Sequence, residues 1–281
     1  MARVDEIRDA QRVAWAGLAV GWEKWDAVIM DQLRPVSTAM IERFDLADAQ
    51  QHLDIASGTG EPGLTVAALV PGGHVVLTDL SAEMLDIATR RAGAQGITNV
   101  ETAVCSAEDL PFDDATFDSV SVRFGYMFLP DLGAATAEFA RVLKPGGRLC
   151  SSVWVEPDEN PWTSITMRAI AGEVTLAAPD PDGPSMFRCA APGCVSDLYE
   201  AAGLRDVAEW DVGVELVTRS PEQYWEVMSE HVSLAVSALR QVDAAARERI
   251  ADAVVSAVDP YVAEDGTTRV PGLARCIVGT R

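Results

Sequence analysis

From residue 52 to residue 154, short apolar runs alternate with stretches of helical periodicity, and no other feature of the chain constrains its fold as much. Residues 52–56, 74–79, 99–105, 117–122 and 148–154 read as strands. Helices are predicted over 61–70, from Ser81 onward, and over 131–143. Ser81 is a capping residue with Glu83 close behind it. Pro71-Gly72-Gly73 stops the first helix and Lys144-Pro145-Gly146-Gly147 the last. Strands separated by single helices imply right-handed βαβ units and a parallel sheet covered on both faces.

The flanks are different. Residues 1–50 read as helix interrupted at Pro35, with Trp15, Leu18, Trp22, Trp25, Ile29 and Leu33 recurring at spacings near three and four. The tryptophans are either a core stripe or an aromatic flap over a ligand. Residues 155–192 are proline-rich around a short helix at 162–176. A helix is predicted over 193–202, an alternating edge-type strand over 207–217, two amphipathic helices over 221–260, and a closing strand over 268–280. The chain thus divides into a helical flap (1–50), a ligand-binding core (51–155), and the rest of the sheet (156–281). Two insertions, 156–192 and 218–265, are expected to cap the carboxyl edge of the sheet.

Composition excludes several classes. The 281 residues carry 22 Lys+Arg against 43 Asp+Glu, a net charge of −21. That field repels phosphate backbones and anionic membrane surfaces, so neither nucleic acid nor membrane is expected as a partner. No apolar run reaches the about 18 residues of a membrane span. The mixed charge of residues 1–8 lacks the apolar core of a secretion signal. The five cysteines (105, 150, 189, 194 and 276) form no CxxC, and the three histidines are dispersed, so no metal site is expected. Reduced thiols packed as small apolar groups point to a cytoplasmic protein.

The chemistry is carried by Asp54-Ile55-Ala56-Ser57-Gly58-Thr59-Gly60, which leaves a strand and enters a helix. Gly58 and Gly60 let the backbone turn and approach a ligand without a Cβ in the way. Asp79 ends the second strand 19 residues after Gly60, where an acid accepts from both ribose hydroxyls of an adenosine ligand. Ser106-Ala107-Glu108-Asp109 ends the third strand, and these adjacent ends form one crevice. A carboxylate at Asp54, just before the glycines, suits a cationic ligand better than a pyrophosphate.

At these residues the chain resembles the class I S-adenosylmethionine-dependent methyltransferases, with Ala56 where many members carry glycine. Ser106 to Phe112 and Arg141 to Leu149 match two further motifs of the class. Within it the nearest likeness is the ubiquinone/menaquinone C-methyltransferase branch. The resemblance implies an α/β, Rossmann-like, seven-stranded, mostly parallel sheet with helices on both faces, a helical cap and an antiparallel last hairpin. It also implies S-adenosylmethionine as cofactor and a small-molecule acceptor. In that reading Ala56, Ser57, Gly58, Thr59 and Gly60 approach the methionine part. Asp54 anchors its ammonium directly or through water, or else braces the loop. Asp79 holds the ribose, Leu80 and Met84 pack near the adenine, and Ser106, Ala107 and Glu108 border its other side. Arg123 helps close the pocket, and Trp22 contributes from the flap.

One departure bears on the acceptor. The quinone enzymes carry Phe-Gly-Leu-Arg-Asn after the fourth strand, and this chain has Phe124-Gly125-Tyr126-Met127-Phe128. A more apolar acceptor pocket follows. Tyr126 and His231 are the catalytic candidates, the histidine for its unperturbed pKa near 6.5. His52 and His74 begin strands on the far side and are expected to be inert. Asn160-Pro161-Trp162 is similar to a base-methyltransferase motif but follows the fifth strand and lacks a second proline. The expected activity is methyl transfer to a small apolar or aromatic acceptor. The alternatives are a cofactor-binding module without turnover and a nicotinamide-dependent oxidoreductase. A homodimer through the Trp-rich first helix is as compatible with the sequence as a lid.

Overall fold

The computed structural model describes residues 2–175, 180 and 183–281. Among them, seven strands form one sheet: β1 (Gln51–Ile55), β2 (His74–Asp79), β3 (Val100–Val104), β4 (Phe117–Arg123), β5 (Leu143–Trp154), β6 (Arg205–Thr218) and β7 (Thr268–Thr280). The order is β3-β2-β1-β4-β5-β7-β6. The pairs among β1 to β5 are parallel, and β7 runs antiparallel to both β5 and β6. Central β1 and β2 are almost wholly buried, whereas β3 at the edge has no fully buried residue and leaves Val104 exposed. The order reverses beside β1, which puts the open crevice at the carboxyl ends of β1, β2 and β4.

The helices are α1 (Ala2–Lys24), α2 (Asp26–Ile41), α3 (Gly63–Leu69), α4 (Ala82–Ala94), α5 (Leu132–Val142), α6 (Pro161–Ala171), α7 (Ser196–Ala201), α8 (Pro221–His231), α9 (Ser233–Leu239) and α10 (Ala244–Ala257). Ser81 caps α4 by accepting the Met84 N–H, and Asp131 caps α5 by accepting that of Ala134.

Three expectations are corrected. Pro35 does not interrupt the first helical stretch; it lies inside α2, whose buried face (Ile29, Leu33, Val36 and Met40) stays on the core across it. The break falls at Trp25, where the backbone leaves helical geometry and the indole N–H reaches Glu230 at 2.7 Å. Residues 221–260 hold three helices rather than two, because Val232 turns extended and is itself buried. Within residues 1–50, α2 packs against β5, β6 and β7 within the main core, and α1 lies against α4, α8 and α9. The predicted helix at 162–176 ends by Ala171. Of the proline run 179–184, only Asp180, Gly183 and Pro184 are among the described residues.

Candidate functional site

The turn after β1 is built from left-handed backbone. Ala56 has φ +51°, Gly58 +54° and Gly60 +106°. An alanine in that region costs about 1–2 kcal/mol, which is why glycine is common at such a position. The turn is held from β2: Asp79 Oδ2 accepts the Gly58 N–H at 3.0 Å, and its Oδ1 accepts the Ser81 N–H at 2.9 Å. Burial raises the Asp79 pKa while these N–H donors work against the shift. Each carboxylate oxygen keeps a lone pair for a ligand hydroxyl.

Asp54 does something else. It is fully buried, and its oxygens accept the Gly63 N–H at 2.9 Å and the Ser121 hydroxyl at 2.5 Å. Ser121 in turn meets His52 Nε2 at 2.9 Å, and His52 Nδ1 meets Ser119 at 2.7 Å. Asp54 is therefore the brace between β1, β4 and the start of α3, and it does not reach the crevice. Burial pushes its pKa up to about 7.

Above this turn lies a cleft that opens to solvent at the carboxyl ends of the central strands. Trp22, Ala56, Ser57, Gly58, Thr59, Asp79, Leu80, Met84, Ala107, Glu108, Arg123 and His231 all line it. Gly60 and Ser106, like Asp54, stand behind the wall. Gly60 approaches Leu64 too closely for a Cβ, and the Ser106 hydroxyl is bonded to the Glu108 carboxylate.

Tyr126 is not brought to the cleft. Its ring is fully buried edge-on to Phe139 with centroids 5.5 Å apart, and its hydroxyl bonds Thr136 Oγ1 at 3.0 Å. Burial raises the phenol far above its ordinary pKa, so it offers no acceptor contact. The cause is local: Phe124 takes φ +58°, which turns its own ring to the cleft and sends the following short helical turn under it.

Phe124, Trp154 and Trp162 line the cleft, and the sequence reading did not assign them to the site. Phe124 stacks on Trp154 at 4.2 Å, Trp154 meets Trp162 at 4.9 Å, and Trp162 faces His231 at 6.4 Å. His231 then meets Trp22 at 5.8 Å, so the rings form one continuous wall. The available signal was position, since Phe124 and Trp154 sit at the carboxyl ends of β4 and β5. Asn160 is a clamp: its amide donates to the carbonyls of Val155, Glu156 and Leu273 and accepts from Leu273 N and Trp162 Nε1.

His231 is buried, and its Nδ1 lies 2.8 Å from the Val227 carbonyl. A carbonyl only accepts, so Nδ1 carries the proton and Nε2 keeps a bare lone pair. Burial pulls its pKa down to about 4, which keeps the ring neutral at physiological pH. Three polar atoms of the cleft wall are buried without a protein partner: Ser57 Oγ, Gln32 Nε2 and Trp22 Nε1. Such atoms call for a polar ligand. They fit S-adenosylmethionine, as do the ribose-ready carboxylate of Asp79 and the apolar walls at Leu80, Met84 and Ala107. Among the described residues no cluster of His, Cys, Asp or Glu is placed to hold a metal ion.

Helix α1 is fastened over this cleft. Lys24 Nζ and Trp25 Nε1 both donate to Glu230 Oε2, at 2.6 and 2.7 Å. Gly21 lies so close to the Glu230 carbonyl that a Cβ would collide with it.

The strand order, the glycine turn after β1 and the acid at the end of β2 define a class I S-adenosylmethionine-dependent methyltransferase. Residues 22–162 match the ubiE/COQ5 methyltransferase family, and the chain belongs to that family. It is 32% identical over 195 residues to the ubiquinone/menaquinone biosynthesis C-methyltransferase UbiE of Methylobacterium nodulans, 65% of this chain and 73% of that one. It is 28% identical over 237 residues to nocamycin O-methyltransferase of Saccharothrix syringae, 76% of this chain and 84% of that one. Against UbiE of Bordetella parapertussis the match is 47% identical over 110 residues, 39% of this chain and 42% of that one. The fold is shared with the YcgJ protein of Bacillus subtilis, at TM-score 0.55, 21% identity, and 87% and 97% coverage of the two chains. It is shared also with Haemonchus contortus phosphoethanolamine N-methyltransferase 2 in complex with S-adenosyl-L-methionine, at TM-score 0.53, 18% identity, and 88% and 52% coverage. Family membership overturns the nicotinamide oxidoreductase alternative.

Proposed function

We propose that this methyltransferase acts on a small, flat, apolar acceptor, an aromatic ring bearing one nucleophilic polar atom, and that His231 aligns that atom. The supporting observation is the aromatic wall from Phe124 through Trp154 and Trp162, ending on a histidine whose tautomer is set by Val227. Asp79 would hold the ribose, Leu80, Met84, Ala107 and Glu108 the adenine, and residues 56–59 the methionine part. When bound, S-adenosylmethionine supplies an electrophilic methyl group whose neutral thioether leaves without an acid.

The protein's own work is orientation. The stacked rings hold a planar acceptor in one attitude and exclude water, which converts encounter into alignment. His231 Nε2 accepts a hydrogen bond from the acceptor's O–H or N–H. With a pKa near 4 it orients the nucleophile, and the proton that the acceptor gives up on methylation passes on to solvent at the open side of the cleft. The net charge of −21 supports a small-molecule acceptor over a nucleic acid. Five free thiols support a reducing, cytoplasmic setting. No helix among the described residues is long and apolar enough to cross a membrane.

The test is methyl transfer from labelled donor to matched hydroxylated arenes and hydroxylated aliphatic compounds. Arenes should be turned over preferentially. His231→Ala should lower kcat about tenfold to hundredfold while leaving S-adenosylhomocysteine affinity unchanged. Turnover of aliphatic acceptors alone would reject the aromatic assignment.

A further inference from the structure

The aromatic wall ends on a second polar atom beside His231. Three buried polar atoms of the cleft wall lack a protein partner, and one of them, Trp22 Nε1, stands next to His231 rather than at the turn after β1. The two rings lie 5.8 Å apart at 71°. An indole N–H only donates, and His231 Nε2 only accepts, because Nδ1 holds the ring's proton against the Val227 carbonyl. The two do not satisfy each other, since the indole N–H makes no hydrogen bond among the described residues. A donor and an acceptor thus stand side by side in one wall, and a buried donor without a partner calls for one in the ligand.

Their spacing is built in. Gly21 lies under the Glu230 carbonyl with no room for a Cβ, and Lys24 and Trp25 both donate to Glu230 Oε2. These contacts flank Trp22 in the chain and immediately precede His231 on α8, so they hold the two rings in register. Trp162, from the stacked wall, faces the same imidazole at 6.4 Å and 27°. A flat molecule stacked along that wall presents one edge to both groups. Hydrogen-bonding atoms on neighbouring positions of its ring meet the pair, whereas atoms on opposite sides of the ring do not.

We propose that Trp22 and His231 together read two neighbouring oxygens on the methyl acceptor: the hydroxyl that is methylated donates to His231 Nε2, and an oxygen on the adjacent ring carbon accepts from Trp22 Nε1. The substrate class is then an ortho-oxygenated phenol. This rests on the aromatic-acceptor reading above and narrows it. As the oxygen–methyl bond forms, the carbon–sulfur bond breaks with its electron pair left on the neutral thioether, and the hydroxyl proton leaves to solvent through the open side of the cleft. A phenol without the second oxygen leaves the indole N–H buried and unpaired, and is disfavoured for that reason.

The test compares phenols of one shape. In 2-methoxyphenol an oxygen stands next to the hydroxyl-bearing carbon, and in 2-ethylphenol a methylene takes its place. Methyl transfer from labelled S-adenosylmethionine to each gives a ratio of kcat/KM values. Wild-type protein should favour 2-methoxyphenol by about tenfold over 2-ethylphenol and over 4-methoxyphenol. Trp22→Phe keeps an aromatic ring and removes the N–H, and should bring the first ratio to within about twofold. Both phenols are read on the same variant, so a loss of folded or donor-loaded protein lowers both alike and leaves the ratio untouched. If the variant turns over too slowly, the same ratio is taken from calorimetric binding of the two phenols to its S-adenosylhomocysteine complex. A wild-type ratio near one, or a tenfold ratio retained by Trp22→Phe, would overturn the pair and leave the aromatic-acceptor reading standing. Turnover of aliphatic hydroxyl compounds and of none of the phenols would overturn that reading, and the pair with it.

Discussion

The Asp79 carboxylate accepts the Gly58 N–H at 3.0 Å, so the acid that ends β2 also holds the turn that follows β1. One side chain thereby shapes the loop and lines the cleft, where we propose it meets the ribose. Asp79→Ala removes both roles and should weaken S-adenosylhomocysteine at least about hundredfold in calorimetry. Asp79→Asn keeps an acceptor and should lose less. Undiminished binding by the alanine variant would reject the ribose role.

Asp54 should behave as a brace. Asp54→Asn is close to isosteric and should keep S-adenosylhomocysteine affinity within about threefold. Asp54→Ala strands the buried Gly63 N–H and the Ser121 hydroxyl, and should lower unfolding stability by about 1–3 kcal/mol. A direct ammonium contact predicts instead a tenfold or larger affinity loss in the asparagine variant at full stability.

The contact of α1 with α8 can be wedged open. Gly21→Ala places a methyl against the Glu230 carbonyl, where there is no space for it. The substitution should destabilise by about 1–3 kcal/mol and weaken ligand binding, since α1 carries Trp15 and Trp22 to the cleft. Thermal melts with and without S-adenosylhomocysteine measure both, and an unchanged melt would show that α1 is not seated on α8 in solution.

Acid stability follows from three buried groups. His52 and His231 titrate near 3 and 4 in the folded protein, and unfolded histidine near 6.5. Between those limits the unfolded chain binds more protons, so stability falls as pH falls from about 6.5. Asp54 has the opposite sign: its folded value near 7 lies above the unfolded one, so its contribution is lost as pH rises through 7. By themselves, two histidines against one carboxylate contribute about one net proton, about 1.4 kcal/mol per pH unit between about 4 and 6.5, and the Asp79 and Asp26 carboxyls, also raised by burial, subtract from it. Asp54→Asn removes one opposing group and should steepen the slope by about one proton. Urea midpoints across that range measure it, and a variant slope equal to or shallower than wild type would contradict the assignment.

Much of the frame was legible beforehand because it is local. The short apolar run of β2, the Ser81 cap and the glycine turn each depend on neighbours in the chain, and β2 and β7 begin and end where the pattern put them. The role of Asp54 was not legible, since the same acid before a glycine loop serves as ligand contact or brace according to where Ser121 and Gly63 fall. Tyr126 looked like an acceptor contact by its place after β4, but a single left-handed residue before it exchanged its ring for that of Phe124.

The sequence alone determined the class of chemistry: a βαβ sheet, a bent backbone at 56–60, and an acid, Asp79, at the end of the second strand. Those are properties of short segments, and hydrogen bonding and sterics within a few residues enforce them. The aromatic wall of the cleft was decided only by the tertiary structure. The cleft draws Trp22 from α1, Gln32 from α2, Phe124 and Trp154 from two strand ends, Trp162 from α6 and His231 from α8. Their meeting depends on how six helices and strands pack, and no local pattern encodes a contact between residues 22 and 231.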